Sequence, residues 1–573
     1  MTSPPTGVPV ASGEIPKGNL AGLARYWQND VASGFLVFLI ALPLCLGIAI
    51  ASGFPPVAGV FTAIVGGIVA PLFSNSELTI KGPAAGLIVI VLGAMLDFGY
   101  TGGKDPAADA TAYRAVLGVG VAAGLVQIVF GILRSGVLGE FFPMAAVHGL
   151  LASIGVIIMS KQIHVVVGQN APGKEPLGWI EAIPGSFMNM NPEIAVIGLT
   201  SLAILFSWAF IPIRRIRLIP PQIVVVVLAI GMGMLFDLTH EHTYTFAGKE
   251  YPLGEKYLVN VPPSLFGAFV APDFSGIPTG TGVKWIVMFA LIGSLESMLS
   301  AKAVDMIDPW RRKTDMNRDL LGIGVANTLA ACIGGLPMIS EIVRSKANID
   351  NGARTRFANM AHGLFLLTFV ALVPWLIHRI PLAALAAMLV FTGFRLASPK
   401  EFLNTYKVGP EQLCVFVCTI VGVLATDLLI GIGIGVAVKF ALHLLNGAPL
   451  MSLFKSDIAV DKQGGVGTVT VRRSAVFSTW IPLRSRIMSC FDCNRVVVDL
   501  ADTFFVDHTV MEKLHELERE FREQNRTLEI RGLEGHSSVS AHSLAARKRR
   551  KSSGSGENGS SDVVREDEMA GIK

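Results

Sequence analysis

Long apolar runs alternate with short polar stretches over most of this chain, and that alternation limits its fold more than any other feature. A helix crossing the hydrocarbon core of a bilayer needs about 20 mostly apolar residues. Runs of this kind occupy 31–52, 56–73, 84–100, 113–134, 142–160, 192–213 and 219–237. After a polar interval they resume at 284–304, 319–335, 338–350, 357–378, 381–397, 411–427 and 428–446. The pattern predicts an all-α polytopic membrane domain of about fourteen segments over 29–447, behind a short N-terminal segment, 1–28. Composition agrees. Charged residues are 16% of the 573, against roughly a quarter in a soluble protein. That excludes disordered and collagen-like chains and argues against a cytosolic globule. The 60 Gly suit closely packed membrane helices, and six Cys make no disulfide framework. No small-residue cleavage site follows the first run, so no removable signal peptide is expected.

Basic residues orient the segments. With the N-terminus inside, the cytoplasmic loops hold Lys81, Arg134, Arg214, Arg215, Arg217, Arg311, Arg312, Lys313, Arg318, Arg354, Arg356, Arg395, Lys400 and Lys407. The opposite loops are mixed or acidic. Both termini are therefore expected in the cytoplasm, with the chain in the plasma (inner) membrane.

Past Asn446 the pattern changes. Residues 467–473 and 495–500 read as strands, 508–524 as an amphipathic helix with Val510, Leu514, Leu517 and Phe521 on one face, and 527–532 as another strand. A small α/β domain is expected over 455–535, followed by a disordered tail, 536–573.

Two segments are interrupted. Lys81-Gly82-Pro83-Ala84-Ala85-Gly86 precedes the third, and Gly334-Gly335-Leu336-Pro337 precedes the tenth. Each is third in a set of about seven, and matched interruptions in two halves mark a transporter site. An odd number per half inverts one half against the other. The N-termini of the two half-helices then face each other near the midplane, where unpaired N–H groups and positive dipole ends attract an anion without a metal. Ionisable groups inside spans are costly and usually functional. Glu296 lies well inside the eighth segment and suits proton binding, with Ser300 one turn on. Arg344 lies on the short tenth segment, and Glu341 is placed to pair with it on one helix face.

At these residues the chain resembles the sulfate permease (SulP) family. Ala41-Leu42-Pro43, Gly53-Phe54-Pro55-Pro56-Val57-Ala58-Gly59, Gly82-Pro83-Ala84-Ala85, and Arg344-Ser345 with Asn348 and Gly352-Ala353-Arg354-Thr355 follow the family's motifs in order. The resemblance covers residues 20–535. It implies an inverted repeat of core and gate domains, alternating access, a C-terminal STAS domain and a homodimer. It also implies an anion held between segments three and ten. The expected site residues there are Ala84, Ala85, Gly86, Ser340, Glu341 and Arg344, with Glu341 paired to Arg344 or Lys346 or else protonated; Glu296 is expected to take the coupling ion, and Ser300 to help ligate that ion or the anion. A Glu at position 296 goes with proton coupling in the family, whereas sodium-bicarbonate members tend to carry Asp. The departures are Leu44, Ile48 and Ala84 at the site, and the bulky run Met338-Ile339-Ser340-Glu341 entering segment ten.

The expected function is proton-coupled symport of sulfate or bicarbonate. The alternatives are sodium-dependent bicarbonate symport and an anion-responsive sensor or scaffold signalling through the STAS domain. Neither a catalytic motif nor a paired metal motif is present, so no enzyme, cofactor, metal or catalytic residue is expected. Cys490 and Cys493 lack a second pair. His148 reads as a core residue and His362 as a helix-end residue near the cytoplasm. The basic run Arg547–Lys551 reads as a solvated tail, too short to bind nucleic acid.

Overall fold

The computed structural model describes residues 15–140, 143–173, 175–211, 219–260, 266–426 and 428–550. The chain forms two compact units, up to Leu442 and from His443 onward.

The first unit begins with α1 (Leu20–Ala51), α2 (Pro56–Ile68) and α3 (Ala70–Phe73). A short strand β1 (Ile80–Gly82) and a tight turn over Ala85–Leu87 lead into α4 (Ile88–Asp97). Then come α5 (Pro106–Ile132), α6 (Met144–Val166), α7 (Pro176–Met188), α8 (Pro192–Ser207) and α9 (Pro221–Leu235). A hairpin, β2 (His242–Phe246) with β3 (Lys249–Leu253), separates the halves. The second half holds α10 (Gly280–Ile307), α11 (Met316–Cys332), β4 (Ile339–Glu341), α12 (Ile342–Asp350), α13 (Phe357–Leu372), α14 (Pro374–Ile377), α15 (Leu382–Leu396), α16 (Pro399–Val408), α17 (Pro410–Ala425) and α18 (Leu428–Leu445).

Each expected apolar segment corresponds to a helix. Among the described residues, six helical stretches are long and apolar enough to cross a membrane, and α7 with α8, bent by 118° at their junction, pass the same test taken together. Among the described residues of this unit, two helices were not expected. The α7 stretch is broken by Gly178, Pro184 and Gly185, and α16 carries Lys400, Glu401 and Lys407, so neither shows a continuous apolar run. The unit is helical as expected, with two short strand pairs set into it, the β2–β3 hairpin and β1 with β4. Helix ends follow ordinary capping chemistry: Asn19 accepts from Gly22 N at 2.8 Å, and Asp315 from Asn317 N at 2.9 Å.

The second unit is an α/β domain made of β5 (Asp457–Gln463), β6 (Val466–Ala475), α19 (Trp480–Ser489), β7 (Arg495–Asp499), β8 (Thr503–Val506), α20 (His508–Glu523), β9 (Thr527–Arg531), β10 (His536–Ser538) and β11 (Arg547–Arg549). Its sheet runs β10-β11-β8-β6-β7-β9, with β5 paired to β6. The central pairs β6–β7, β6–β8 and β7–β9 are parallel, which buries Val496 and Val498 beneath the helices. The expected face of α20 is the buried one: Val510, Leu514, Leu517 and Phe521 all pack into the core.

The expected domain end at 535 is revised. Ala545 and Ala546 are buried, and β11 pairs Arg547 and Lys548 with Val506 and Phe505 along the edge of β8. Backbone pairing keeps this basic stretch in the sheet although its side chains are polar. Residues 551–573 lie outside the described residues.

Candidate functional site

The two interruptions meet. Strands β1 and β4 pair antiparallel, with Ile80 opposite Glu341, Lys81 opposite Ser340 and Gly82 opposite Ile339. Each strand leads at once into a short helix, α4 or α12. Antiparallel pairing brings the starts of two inverted half-helices to one place inside the bundle. The first N–H groups of a helix have no acceptor within it. Ala85 and Gly86 supply such groups at the α4 end, and Ile342, Val343 and Arg344 at the α12 end.

The motif residues hold this crossing together. Arg344 is 1% exposed. Its guanidinium donates to Pro83 O and, at 3.4 Å, to Cys45 Sγ. Ile80 N donates to Ser345 Oγ at 2.8 Å. Asn348 donates to Leu78 O at 3.0 Å and accepts from Ser33 Oγ at 2.7 Å. Thr355 Oγ1 donates to Asp30 at 2.5 Å. The segment-ten motif therefore ties α12 to the first break and to α1. A methyl on Gly82 would lie 3.0 Å from Arg344 Nη1, so the guanidinium would have to give by a few tenths of an ångström.

A buried ion pair lies under the crossing. Lys81 and Asp319 are each 1% exposed, and Lys81 Nζ meets Asp319 Oδ1 at 2.5 Å. Ser74 donates to the same carboxylate at 2.5 Å and Ser340 at 3.4 Å, while Lys81 also donates to Ser340 Oγ at 3.1 Å. Ser297 Oγ accepts from Ser340 N at 3.1 Å and donates to Ser340 Oγ at 3.2 Å. Lys81, expected in a cytoplasmic loop, is thus corrected to a core residue. Its partner is 238 residues away, so loop position and charge alone suggested nothing of it.

Carboxylates stand at both helix starts. A methyl on Gly86 would collide with the Glu296 carboxylate, so that group packs directly against the opening of α4. Glu296 Oε2 is buried and has no hydrogen-bond partner among the described residues. Glu341 is the N-cap of α12: its Oε2 accepts from Arg344 N at 3.5 Å and lies 3.9 Å from Arg344 Nε. The expected Glu341–Arg344 pair is therefore present, although loose. The Glu296 and Glu341 carboxylates are also near enough to repel each other.

Of the expected site residues, Ala84, Ala85, Gly86, Glu296, Glu341 and Arg344 come together at the crossing. Ser340 is there too, but its hydroxyl is engaged with Lys81, Asp319 and Ser297. Ser300 is buried one turn along α10, and among the described residues no hydrogen bond joins it to Glu296, Ser340 or Arg344. Sequence reasoning missed Lys81, Asp319 and Cys45. It also placed two histidines wrongly. His148 is exposed on α6. His362 is fully buried on α13, close enough to feel the Arg344 charge, and neither ring nitrogen has a partner among the described residues. Among the described residues no group of His, Cys, Asp and Glu could hold a metal ion.

The chain is similar to known proteins in sequence and in fold. "Putative sulfate transporter YvdB" of Bacillus subtilis (strain 168) is 28% identical over 72% of this chain and 73% of its own length. Bicarbonate transporter BicA of Picosynechococcus is 24% identical over 75% of this chain and 72% of its own. Among solved structures, the transmembrane domain of a cyanobacterial BicA superposes with a TM-score of 0.60 at 23% identity, covering 74% of this chain and all of that one. The overall structure of SLC26A9 gives 0.64 at 13% identity, covering 89% of this chain and 85% of that one. The model of the Sulfate permease family matches residues 27–419. With the crossed half-helices and their motif clamps, that match shows that the chain is an integral membrane protein belonging to the sulfate permease family of anion transporters.

Proposed function

We propose that the chain carries sulfate or bicarbonate by proton-coupled symport, through alternating access about the crossing. The observation that carries this reading is the antiparallel pairing of β1 with β4, which sets two helix N-termini beside one point. The cargo anion sits between the amides of Ala85 and Gly86 and the start of α12, in the field of Arg344. Arg344 acts mainly as a clamp, since its guanidinium already donates to Pro83 and Cys45. Glu296, packed on Gly86 with one oxygen unpartnered, is the proton carrier. Neutralising it removes a negative charge from the α4 tip as the anion arrives, and this links the two events. Ser300, one turn on and not bonded to Glu296, helps to ligate the anion or the coupling ion. Relatives named as sulfate and bicarbonate transporters support the choice of cargo.

In this reading the protein works as a homodimer in the plasma membrane with both termini cytoplasmic, and the second unit is a STAS domain. The deciding experiment is uptake of radiolabelled sulfate and bicarbonate into proteoliposomes, with sodium or choline, at two external pH values. Uptake that rises with an inward proton gradient and ignores sodium is expected. Glu296→Gln should remove the gradient response, and an unchanged response would take Glu296 out of the coupling step. Dependence on sodium would favour sodium-driven bicarbonate symport. Tight binding without flux would favour a sensor signalling through the second unit, a reading that rests on the carboxylate of Glu341 at the α12 tip.

A further inference from the structure

We propose that Glu341 is a resident anion: its carboxylate occupies the donors at the α12 tip that a cargo anion would use, and it must swing aside for cargo to bind. This rests on the anion site proposed above and adds what regulates its occupancy.

The geometry separates Glu341 from the structural contacts around it. Side chains that fix the crossing do so at ordinary hydrogen-bond lengths, such as 2.8 Å for Ile80 N to Ser345 and 3.0 Å for Asn348 to Leu78 O. Glu341 is held more loosely, at 3.5 Å from the Arg344 amide and 3.9 Å from its Nε. Protein N–H···O hydrogen bonds usually span about 2.7–3.2 Å, so the helix field and the guanidinium charge hold this carboxylate rather than fitted geometry. A helix start needs no Glu for capping; Ser, Thr, Asp and Asn are the usual caps. The backbone of Glu341 is fixed by pairing with Ile80, whereas its side chain is 17% exposed. The carboxylate can therefore leave without disturbing the crossing. The next basic residue on α12, Lys346, is engaged elsewhere, with Asp350 at 3.0 Å. Arg344 is thus the cation that Glu341 answers. A cargo anion and the Glu341 carboxylate cannot both sit at this tip, because like charges a few ångströms apart repel strongly in a bundle interior.

The test uses the full chain in proteoliposomes. Glu341→Gln keeps an acceptor oxygen for the cap and removes the charge, and Glu341→Ser vacates the position while still capping. Both should lower the KM for the transported anion by about tenfold or more. Lys346→Gln, which removes an exposed charge from the same helix, should leave KM unchanged. Size-exclusion profiles establish that each variant is folded. Anion-induced thermal stabilisation in detergent, with sulfate and bicarbonate as the probes, should be larger in both Glu341 variants than in the wild type. A KM and a stabilisation within twofold of the wild type in both variants, or a raised KM, would overturn the proposal while leaving the anion site standing. A folded wild type that neither binds nor carries sulfate or bicarbonate would overturn the anion site and this inference with it.

Discussion

The two helix starts at the crossing are related by the inverted repeat, yet they are built from opposite chemistry. At α4 the tip is bare backbone: Ala84, Ala85 and Gly86 present amides and no polar side chain, and the carboxylate packed on Gly86, Glu296, comes from α10. At α12 the tip carries its own charges, Glu341 as cap and Arg344 one turn on. The first end receives its chemistry from a neighbour; the second supplies it and lends its arginine back to Pro83 on the first. An anion site of this kind needs the two dipole ends, but the balance of charge about them is asymmetric. Two carboxylates and one arginine surround the tips, so an ionised site is already net negative before any cargo enters. In the proposed function this charge balance makes inward movement of an anion easier when a proton comes with it.

The most severe way to break the asymmetry is at Arg344. Arg344→Ala removes the clamp to Pro83 and leaves Glu341 without its neighbouring cation, so uptake should fall to background while expression persists. Retained uptake would remove Arg344 from the mechanism. Lys81 is next. Removing one member of a buried ion pair costs about 3–5 kcal/mol, whereas replacing both by apolar groups is often neutral. Lys81→Ala should therefore lower thermal stability sharply, and Lys81→Met combined with Asp319→Leu should recover much of the loss. A single variant as stable as the wild type would mean that the pair contributes nothing to the crossing.

The bare end is probed by Gly86→Ala. The added methyl meets the flexible end of Glu296, so the fold survives and the carboxylate is pushed off the α4 tip. Uptake should drop by about tenfold and lose its response to a proton gradient, a cost of roughly 1.4 kcal/mol in the barrier. If the rate and the gradient response both persist, the contact between Glu296 and Gly86 is incidental. Ser300→Ala should have the smallest effect, a change of about twofold in KM, since loss of one neutral hydrogen-bonding group is worth roughly 0.5–1.5 kcal/mol at most. A large loss of uptake would promote Ser300 from a helping ligand to a principal one.

The bare end was also the more legible in sequence. Gly82-Pro83-Ala84-Ala85-Gly86 announces a broken helix because Pro ends regular pairing and Gly admits close approach. The short length of α12 could likewise be read from its apolar run, and the proximity of Glu341 to Arg344 from their helical spacing. What could not be read were contacts across the repeat. A lysine just before Gly-Pro looks like a loop charge, and nothing local links it to Asp319 on α11. His362 looks like a helix-end histidine until α1 and α13 pack around it, with Gly34 against its backbone. The strands β10 and β11 were hidden for a related reason: pairing along the edge of β8 orders them, not an apolar pattern of their own.

The central claim is that the cargo sits between the two tips. A high-resolution cryo-EM map of the protein saturated with whichever anion it takes up tests this most directly. The account predicts density within hydrogen-bonding distance of the Gly86 and Arg344 amides, with the Glu341 side chain displaced. Density at any other place, with the space between Gly86 and Arg344 unchanged at saturating anion, would contradict it.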